Sequence, residues 1–250
     1  MTLHPLAHGF AAVADHYERG RPEYPPAVVG ALAAELDLDR GARLLDLAAG
    51  TGKLTRALVT AGFDVAAVEP LAELRESLAR HVGAARARDG RAEAIPGGTG
   101  EFAAVTVADA FHWFDHARAL EEIVRVLRPG GGLAIITTVR DFRGAPWGHE
   151  VGSLIAQLRP SHPHFDGPRW QDVLREDGRW SAPREVKITM MQAVTATQVI
   201  DYVASMSWVA TLAEDERARA MERVSGLVLG GETPAELPVH FALGLSVLRR

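Results

Sequence analysis

The chain has 250 residues, which is enough for one large domain with an ample hydrophobic core. Its 32 acidic side chains outnumber its 27 basic ones, and the net charge of −5 argues against a general basic surface for nucleic acid. Because the sequence contains no cysteine, disulfides, thiolate metal sites and cysteine nucleophiles are excluded. No signal peptide or membrane-spanning segment is predicted, so we expect a cytoplasmic protein without a membrane partner.

The first predicted elements lie in residues 1–36. Aromatic, arginine and proline residues follow the order Y-x-x-x-R-P-x-Y-P from Tyr17 to Pro25, with Arg21 at the R position. Two consecutive prolines end any preceding helix and favour the start of another. A helix is therefore predicted from about residue 27 to residue 36.

The stretch from Leu44 to Thr55 predicts a buried strand, a glycine turn and the start of a helix. Gly50 and Gly52 permit a tight turn and leave bare backbone amides for a ligand at the helix N-terminus. A phosphate-binding P-loop is excluded, because leucines stand where that motif has its first glycine and its Ser or Thr. The dinucleotide fingerprint fits less well, because Thr55 takes its third small position.

The pattern Asp-x-x-x-Gly-x-Gly at the end of this strand resembles motif I of the class I S-adenosylmethionine-dependent methyltransferases. The resemblance implies that Asp46, Ala48, Gly50 and Gly52 contact S-adenosylmethionine. A plain connection between a strand and a helix is the alternative interpretation of the same residues.

A second strand is predicted over residues 65–68 and ends at Glu69 and Pro70. A carboxylate at the end of the second parallel strand can accept hydrogen bonds from both ribose hydroxyls of an adenosyl group. We therefore assign Glu69 and Pro70 to the cofactor site, with a solvated charge as the alternative. The next predicted elements are a helix over residues 71–82, whose charged residues we expect in solvent, and a short strand within residues 84–90.

Residues 90–96 resemble the AE-x-x-P segment of methyltransferase-11 relatives, where the backbone of the Ala-Glu pair meets the adenine edge. The resemblance assigns Ala92 and Glu93 to the cofactor site. The opening motif resembles the same subgroup, which is similar to the small-molecule and trans-aconitate methyltransferases. It implies that Tyr17 and Arg21 lie across the cofactor, whereas a turn packed by its own aromatic rings is the alternative.

A fourth strand is predicted over residues 102–107, and the segment after it resembles the "aqAfHWfd" segment of this subgroup. Ligands of such folds lie beyond the carboxyl ends of the strands, so Ala108 should border the cofactor. Phe111 and Trp113 should border the acceptor. His112 is a candidate general base or acceptor-positioning residue, although a packed structural histidine fits the pattern equally.

The helix predicted over residues 116–127 contains the start of the string E-x-x-R-V-L-R-P-G-G, which begins at Glu122 and also matches the subgroup. We expect a structural role for this string: proline and glycine end the helix and turn the chain into a fifth strand over residues 133–139.

The signals weaken beyond residue 140. A strand is predicted over residues 184–194, two helices between 195 and 230, and a last strand over 239–248. The helices between the last strands should form a lid that carries the acceptor residues Tyr202, Ser205 and Trp208. His162-Pro163-His164 lacks nearby carboxylates, so a loop is favoured over a metal site and no metal is predicted.

Alternating strands and helices predict a doubly wound α/β fold in one domain over residues 1–250. The resemblance implies a Rossmann-like sheet of seven mostly parallel strands, with the last strand antiparallel, helices on both faces and a helical lid near the C-terminus. It divides the chain into a cofactor-covering segment (1–36), a cofactor-binding core (37–140) and a C-terminal part (141–250), with the lid at about 195–230.

The function implied by the resemblance is in-line methyl transfer from S-adenosylmethionine to a small molecule, with S-adenosyl-L-homocysteine as the product. The absence of cysteine excludes cytosine C5 methylation, and no Asp/Asn-Pro-Pro-Tyr/Phe segment for base amino groups follows the fourth strand. The acceptor atom and the oligomeric state stay open. A cofactor-binding protein without methyl transfer and an NAD-dependent oxidoreductase are the alternatives.

Overall fold

A seven-stranded mixed sheet forms the framework of the protein in a computed structural model that describes residues 4–249. Its strands are β1 (Arg43–Leu47), β2 (Asp64–Val68), β3 (Ala87–Arg88), β4 (Phe102–Ala108), β5 (Leu127–Arg140), β6 (Arg184–Ala193) and β7 (Glu236–Val247). They follow the order β3-β2-β1-β4-β5-β7-β6 across the sheet. The pairs from β3 to β5 are parallel.

The last strand, β7, runs antiparallel to β5. The amide of Asp141, just after β5, donates to the carbonyl of Pro238 near the start of β7, at 2.8 Å. The amide of Leu248, just after β7, donates to the carbonyl of Gly131 near the start of β5, at 2.9 Å. Because each strand end pairs with the start of the other, the two strands are antiparallel. The predicted seven-stranded, mostly parallel sheet with an antiparallel last strand is confirmed.

The central strands are almost continuously apolar, as expected for parallel strands that helices cover on both faces. Strands β1, β2 and β4 read RLLDL, DVAAV and FAAVTVA, and nearly all of their residues are buried. Asp46 interrupts the apolar run of β1, so its buried carboxylate needs partners inside the protein.

Helices connect the strands and account for most of the remaining chain. They are α1 (Pro5–His8), α2 (Ala14–Gly20), α3 (Pro26–Glu35), α4 (Lys53–Thr60), α5 (Ala72–Val82), α6 (His116–Val126), α7 (Gly148–Leu158), α8 (Pro163–Asp166), α9 (Trp170–Asp177), α10 (Ala196–Ala204), α11 (Ser207–Ala210) and α12 (Glu214–Gly230). Across residues 4–249, no helix is long and apolar enough to cross a membrane. The sequence pattern predicts α3 to α6, α10 and α12 but does not indicate α7 or α9.

The fifth strand begins at Leu127, whereas the sequence pattern places its start at residue 133. Helix α6 ends at Val126, and the Pro-Gly run that follows is already part of the strand. The pairing with β4 shifts register within this run, and Gly130 has a φ of +76°. An added Cβ at Gly131 would lie 3.0 Å from the carbonyl oxygen of Ala103. The glycines therefore permit an irregular start of the strand instead of a separate turn before it.

Two compact units divide the described residues. The sheet unit contains residues 23–138, 166–188 and 241–249, and the helical unit contains residues 4–22, 139–165 and 189–240. The unit boundaries within the sheet fall inside β5, β6 and β7, so these strands contribute residues to both units.

Each unit has its own hydrophobic core. In the sheet unit, buried residues of β1, β2, β4 and β5 pack with those of α6 and with Trp180. In the helical unit, α10 packs against α2 and α12, and α12 also packs against α7. Gly20 allows the close approach of α2 and α10, because an added Cβ would lie 2.2 Å from the backbone nitrogen of Tyr202.

Candidate active site

Asp46 is the buried acidic residue at the start of the candidate site, and 1% of its surface is exposed. Thr55 in the first turn of α4 donates its hydroxyl to one carboxylate oxygen at 2.6 Å, and Thr106 of β4 donates to the other at 2.9 Å. Burial raises the pKa of Asp46 to about 6, and the two hydroxyls act in the opposite direction. Asp46 thus ties β1 to α4 and β4. Thr55, which breaks the dinucleotide fingerprint, has a structural role here.

The glycine turn between β1 and α4 uses three left-handed backbone conformations. Ala48, Gly50 and Gly52 have φ angles of +57°, +59° and +91°. At Gly52 an added Cβ would lie 2.6 Å from Cδ1 of Leu78, so a larger residue would clash with α5. The two glycines therefore place backbone without side chains at the N-terminus of α4, as the close approach of a nucleotide-like ligand requires.

Glu69 lies beside this turn at the end of β2, with 4% of its surface exposed. One carboxylate oxygen accepts the amide of Gly50 at 2.9 Å, and the other accepts the amide of Leu71 at 3.0 Å. Burial raises the pKa of Glu69 to about 7, and these two amides oppose the rise. A carboxylate has about four acceptor positions. The two amides use one on each oxygen, so the group fits a ligand with two neighbouring hydroxyls.

Arg75 supports Glu69 and Pro70 from helix α5. Its Nη1 donates to the backbone carbonyl of Glu69 at 2.8 Å and to that of Pro70 at 3.0 Å, and it also pairs with Asp89 at 3.1 Å. The expectation that every charged residue of this helix faces solvent is wrong for Arg75, because its guanidinium satisfies carbonyls at the end of β2. The side-chain pattern of the helix contains no signal for this contact.

The Ala92-Glu93 segment contacts the segment that follows β4. Ala92 is buried, and the carboxylate of Glu93 accepts the amide of Asp115 at 2.9 Å. Ala48, Ala92, Phe111 and Trp113 belong to one hydrophobic cluster. The sheet unit therefore brings the predicted residues after β1, β3 and β4 together.

Helix α6 holds the Ala92-Glu93 segment through two residues that sequence reasoning assigns only to a helix end. Glu122 accepts the amide of Ile95 at 2.8 Å, and Arg125 donates to the carbonyls of Ile95 and Gly97 at 2.9 and 2.7 Å. Glu122 and Arg125 also pair with each other at 2.6 Å. Their spacing of three residues in the E-x-x-R string is the signal that could have indicated this pair.

The segment after β4 begins with Ala108, the last residue of that strand. Asp109 follows with a φ of +52°, and its carboxylate accepts the amide of Thr138 at 2.8 Å. A 3₁₀ turn then spans Phe111–Trp113, in which the half-buried His112 ring lies 4.6 Å from the Trp113 ring. Asp109 thus fixes the start of the turn that carries the candidate base.

The second half of the opening motif lies in the sheet unit. Glu23 pairs with Lys53, the buried first residue of α4, and Tyr24 accepts a hydrogen bond from the hydroxyl of Thr138 at 3.2 Å. The motif therefore supports the helix that follows the glycine turn. Neither contact has a signal in the sequence beyond the motif itself.

The remaining predicted residues lie in the helical unit. The Arg21 guanidinium lies 5.1 Å from the ring centre of Tyr17 and 5.0 Å from that of Tyr202. Its Nε donates to the Ser205 hydroxyl at 3.0 Å. The helical unit thus brings two predicted cofactor-covering residues together with two predicted acceptor residues.

Trp208 lies in a different aromatic group of the helical unit, with ring centres 5.1 Å from His162 and 6.2 Å from Phe165. Nδ1 of His162 accepts the amide of His164 at 3.1 Å, so its Nε2 carries the proton towards the Ser207 hydroxyl, also at 3.1 Å. In the part of the chain that the structure describes, no cluster of three or more His, Asp or Glu side chains could hold a metal ion.

The sequence matches a family model described as a methyltransferase domain over residues 45–135. An uncharacterized methyltransferase of Mycobacterium bovis is 36% identical over 219 residues, which is 88% of this chain and 85% of that protein. The range that the family model matches contains the last three residues of β1, the glycine turn, Glu69 and the segments after β3 and β4.

Solved structures with the same fold include a candidate type II methyltransferase from Anaeromyxobacter dehalogenans. It has a TM-score of 0.65 and 23% identity and covers 92% of this chain and 97% of its own. Phosphoethanolamine N-methyltransferase 2 of Haemonchus contortus, solved with S-adenosylhomocysteine, has a TM-score of 0.54 and 12% identity. The alignment covers 96% of this chain and 58% of that one.

Proposed function

Because the chain belongs to the class I S-adenosylmethionine-dependent methyltransferases, we propose that it methylates a small-molecule acceptor by in-line transfer. The observation that carries the proposal is the contact between Glu69 and the glycine turn. It sets a buried carboxylate at the end of β2 beside the bare backbone of Gly50, where one ligand could meet both.

Bound S-adenosylmethionine supplies a methyl group already activated by its sulfonium. In our proposal, the chain would hold the acceptor opposite the sulfur and exclude water. The acceptor would bond to the methyl carbon as the carbon–sulfur bond breaks, and S-adenosylhomocysteine would leave with that electron pair. Glu69 accepts the ribose hydroxyls, the backbone of the Gly50 turn meets the amino-acid part of the cofactor, and Ala92 and Glu93 border the adenine. No metal ion or protein nucleophile takes part in this chemistry.

We propose that residues 1–36 cover the cofactor and that the helices between 195 and 230 form the lid over the acceptor. The contacts of Arg21 with Tyr17, Tyr202 and Ser205 support this proposal, because they join the two predicted groups in one cluster. Aromatic residues of both groups suit an acceptor with an apolar body. We place the reaction in the cytoplasm, without a nucleic-acid or membrane partner.

Calorimetric titration with S-adenosylmethionine, S-adenosylhomocysteine and NADH tests the proposal. We expect saturable binding of the first two compounds and none of NADH. Binding of NADH alone would contradict the cofactor assignment. A screen of small molecules with radiolabelled methyl donor then separates an enzyme from a protein that only binds the cofactor.

His112 is proposed as the base or positioning group for the acceptor. In His112→Ala, turnover of an acceptor found in the screen should fall by about 100-fold, whereas the affinity for S-adenosylhomocysteine should stay within about twofold. His81→Ala, at an exposed histidine near the end of α5, is the matched control. Unchanged turnover in His112→Ala would show that the histidine only packs against Trp113.

A further inference from the structure

Arg140, the last residue of β5, is a buried cation without a counter-ion. It belongs to the helical unit, and 6% of its surface is exposed. Its Nε and Nη1 atoms are buried, and no acceptor among residues 4–249 lies within hydrogen-bonding distance of either atom. Such donors normally have partners inside a protein.

Two acidic groups of the helical unit have cationic partners: Asp141, next to Arg140 in the sequence, and Asp201, next to Tyr202. Asp141, the next residue, accepts hydrogen bonds from Arg143 at 2.7 Å and pairs with His240 at 3.3 Å. Asp201 in α10 pairs with His16 at 2.6 Å and with Arg19 at 2.8 Å. Neither carboxylate is left to neutralise Arg140.

The charge of Arg140 persists at neutral pH, because a guanidinium does not lose its proton in proteins. Burial lowers its pKa, and the Tyr202 phenol opposes this effect. A buried charge without a partner destabilises the free protein, and a ligand that brings an anionic group would remove this cost. In open α/β sheets, ligands bind beyond the carboxyl ends of the strands, and Arg140 ends β5.

Tyr202, which interacts with Arg140, belongs to a group of aromatic rings. Tyr202 interacts electrostatically with Arg140 and carries the Arg21 guanidinium at 5.0 Å from its ring centre. Phe142 packs edge-on against Tyr202 at 5.6 Å and against Trp147 at 5.5 Å. Positive charge beside aromatic rings suits a molecule with an anionic group on an apolar or aromatic body.

We propose that Arg140 binds an anionic group of the methyl acceptor, a carboxylate or a phosphate, through its planar fork of N–H donors. Tyr202 and Phe142 contact the apolar body of the same molecule. This inference rests on the proposed function, because it names the class of acceptor for that reaction. Arg140 is a specificity residue in this proposal and takes no part in the transfer itself.

The test is a calorimetric titration of the protein saturated with S-adenosylhomocysteine. The probes are 3-phenylpropanoate, its neutral primary amide and phenyl phosphate, so the two anions identify the preferred group. We expect at least one anion to bind with an affinity at least about ten times higher than that of the amide. Arg140→Met should lose this preference. Equal binding of anion and amide, no detectable anion binding, or an unchanged preference in Arg140→Met would overturn the proposal.

Two further measurements separate recognition from folding. Arg140→Met should melt at the same or a higher temperature than the unliganded parent, because it removes an unpaired buried charge. Arg140→Lys keeps the charge without the planar fork and should retain only part of the preference. Arg223→Met, at an exposed arginine of α12 in the same unit, should behave as the parent protein does.

The same titrations distinguish a failure of this inference from a failure of the proposed function. Arg140 variants should bind S-adenosylhomocysteine as the parent does. A parent protein that binds S-adenosylhomocysteine but shows no preference for the anions would contradict this inference and leave the cofactor assignment intact. A parent protein that does not bind S-adenosylhomocysteine would remove the basis of both proposals.

Discussion

At the residue scale, Glu69 has two tasks. The oxygens that accept the amides of Gly50 and Leu71 are also the oxygens proposed to accept the ribose hydroxyls. The first task holds the glycine turn against the end of β2, and the second requires an ionised carboxylate. Because burial raises the pKa of Glu69 to about 7, the two tasks depend on pH in different ways.

Glu69→Gln should weaken the binding of S-adenosylhomocysteine by about 1.5–3 kcal/mol, since charge-assisted hydrogen bonds to the ribose are lost. Calorimetry measures this change directly. Glu76→Gln, at an exposed glutamate in α5, is the control and should leave the affinity unchanged. An unchanged affinity in Glu69→Gln would show that another group holds the ribose.

The pH dependence of the parent protein offers a separate test of Glu69. The affinity for S-adenosylhomocysteine should rise with pH and level off above about pH 8, because Glu69, with a pKa of about 7, is largely ionised there. The contribution of Glu69 to stability has the opposite sign. A raised pKa means that the folded state binds the proton more tightly, so this contribution falls between pH 4.5, the ordinary pKa, and about 7.

Comparison with Glu69→Gln separates the contribution of Glu69 to the pH dependence of affinity and of stability from the contributions of the other carboxylates. The affinity of this variant should vary little with pH over the same range. In urea denaturation, the stability of the parent relative to the variant should fall as the pH rises from 5 to 8. A relative stability that rises over this range would contradict the assigned pKa direction.

The sequence predicts the proximity of the glycine turn and Glu69, because β1 and β2 are adjacent parallel strands that end at the same edge. It does not predict the partners of Asp46. The hydroxyls of Thr55 and Thr106 come from different elements, and only the register of β1 with β4 brings Thr106 beside Asp46. Arg75 was missed for the same reason, because its partners are backbone carbonyls that no side-chain pattern reveals.

At the element scale, the entry into α4 depends on both the backbone conformation and the close packing of Gly52. Gly52→Ala should destabilise the protein by about 2–4 kcal/mol, because alanine disfavours the left-handed backbone at this position and its Cβ would clash with Leu78. Gly178→Ala is a matched control, since Gly178 at the end of α9 is also left-handed, with a φ of +74°, but has open space around its Cα. It should cost only about 1–2 kcal/mol in urea denaturation.

A second comparison tests the origin of the Gly52 effect. In a Leu78→Ala background, Gly52→Ala should cost less than in the parent, because the contact at 2.6 Å is removed. An equal loss of stability in both backgrounds would show that Gly52→Ala acts only through the backbone conformation.

The contacts of α6 predict that a residue distant in sequence from the glycine turn affects the cofactor. Arg125→Met should weaken S-adenosylhomocysteine binding by about 1–2 kcal/mol, because the carbonyls of Ile95 and Gly97 lose their donor and the Ala92-Glu93 segment loosens. Arg118→Met, at an exposed position of the same helix, is the control. An unchanged affinity for S-adenosylhomocysteine in Arg125→Met would show that the pair of Glu122 and Arg125 does not affect cofactor binding.

Helices α7 and α9 show where sequence patterns do not suffice at this scale. Helix α7 contains two glycines, and α9 is highly charged and only eight residues long, so the apolar spacing in each is too short to indicate a helix by itself. Both are stabilised by packing in the folded protein, where Val151 and Leu154 of α7 and Val173 and Leu174 of α9 are buried. In contrast, α6 has a regular apolar face, and its predicted bounds agree with the structure to within one residue.

At the scale of the whole molecule, the helical unit depends on a polar contact between α2 and α10. Asp201→Asn should destabilise this unit by about 2 kcal/mol, an estimate that allows for solvent around the half-exposed Arg19 and His16. Hydrogen exchange measured by mass spectrometry should show faster exchange in α2 and α10. Strands β1, β2 and β4 should keep their protection, because Asp201 and its partners all lie in the helical unit.

Asp215→Asn is the matched control for this prediction, because Asp215 forms an exposed pair with Arg219 in α12. It should change the exchange of α2 and α10 little. Equal acceleration across the sheet in Asp201→Asn would show that the two units open together.

The interleaved order of the two units has a consequence for synthesis on the ribosome. Residues 241–249 complete the sheet unit. Leu248 forms an antiparallel β-bridge with the buried Trp180, and the amide of Leu248 donates to the carbonyl of Gly131. The nascent chain can assemble the turn around Gly50 early, but it cannot complete the sheet unit until residues 241–249 have left the exit tunnel. We therefore expect the growing polypeptide to rely on chaperones until these residues have emerged.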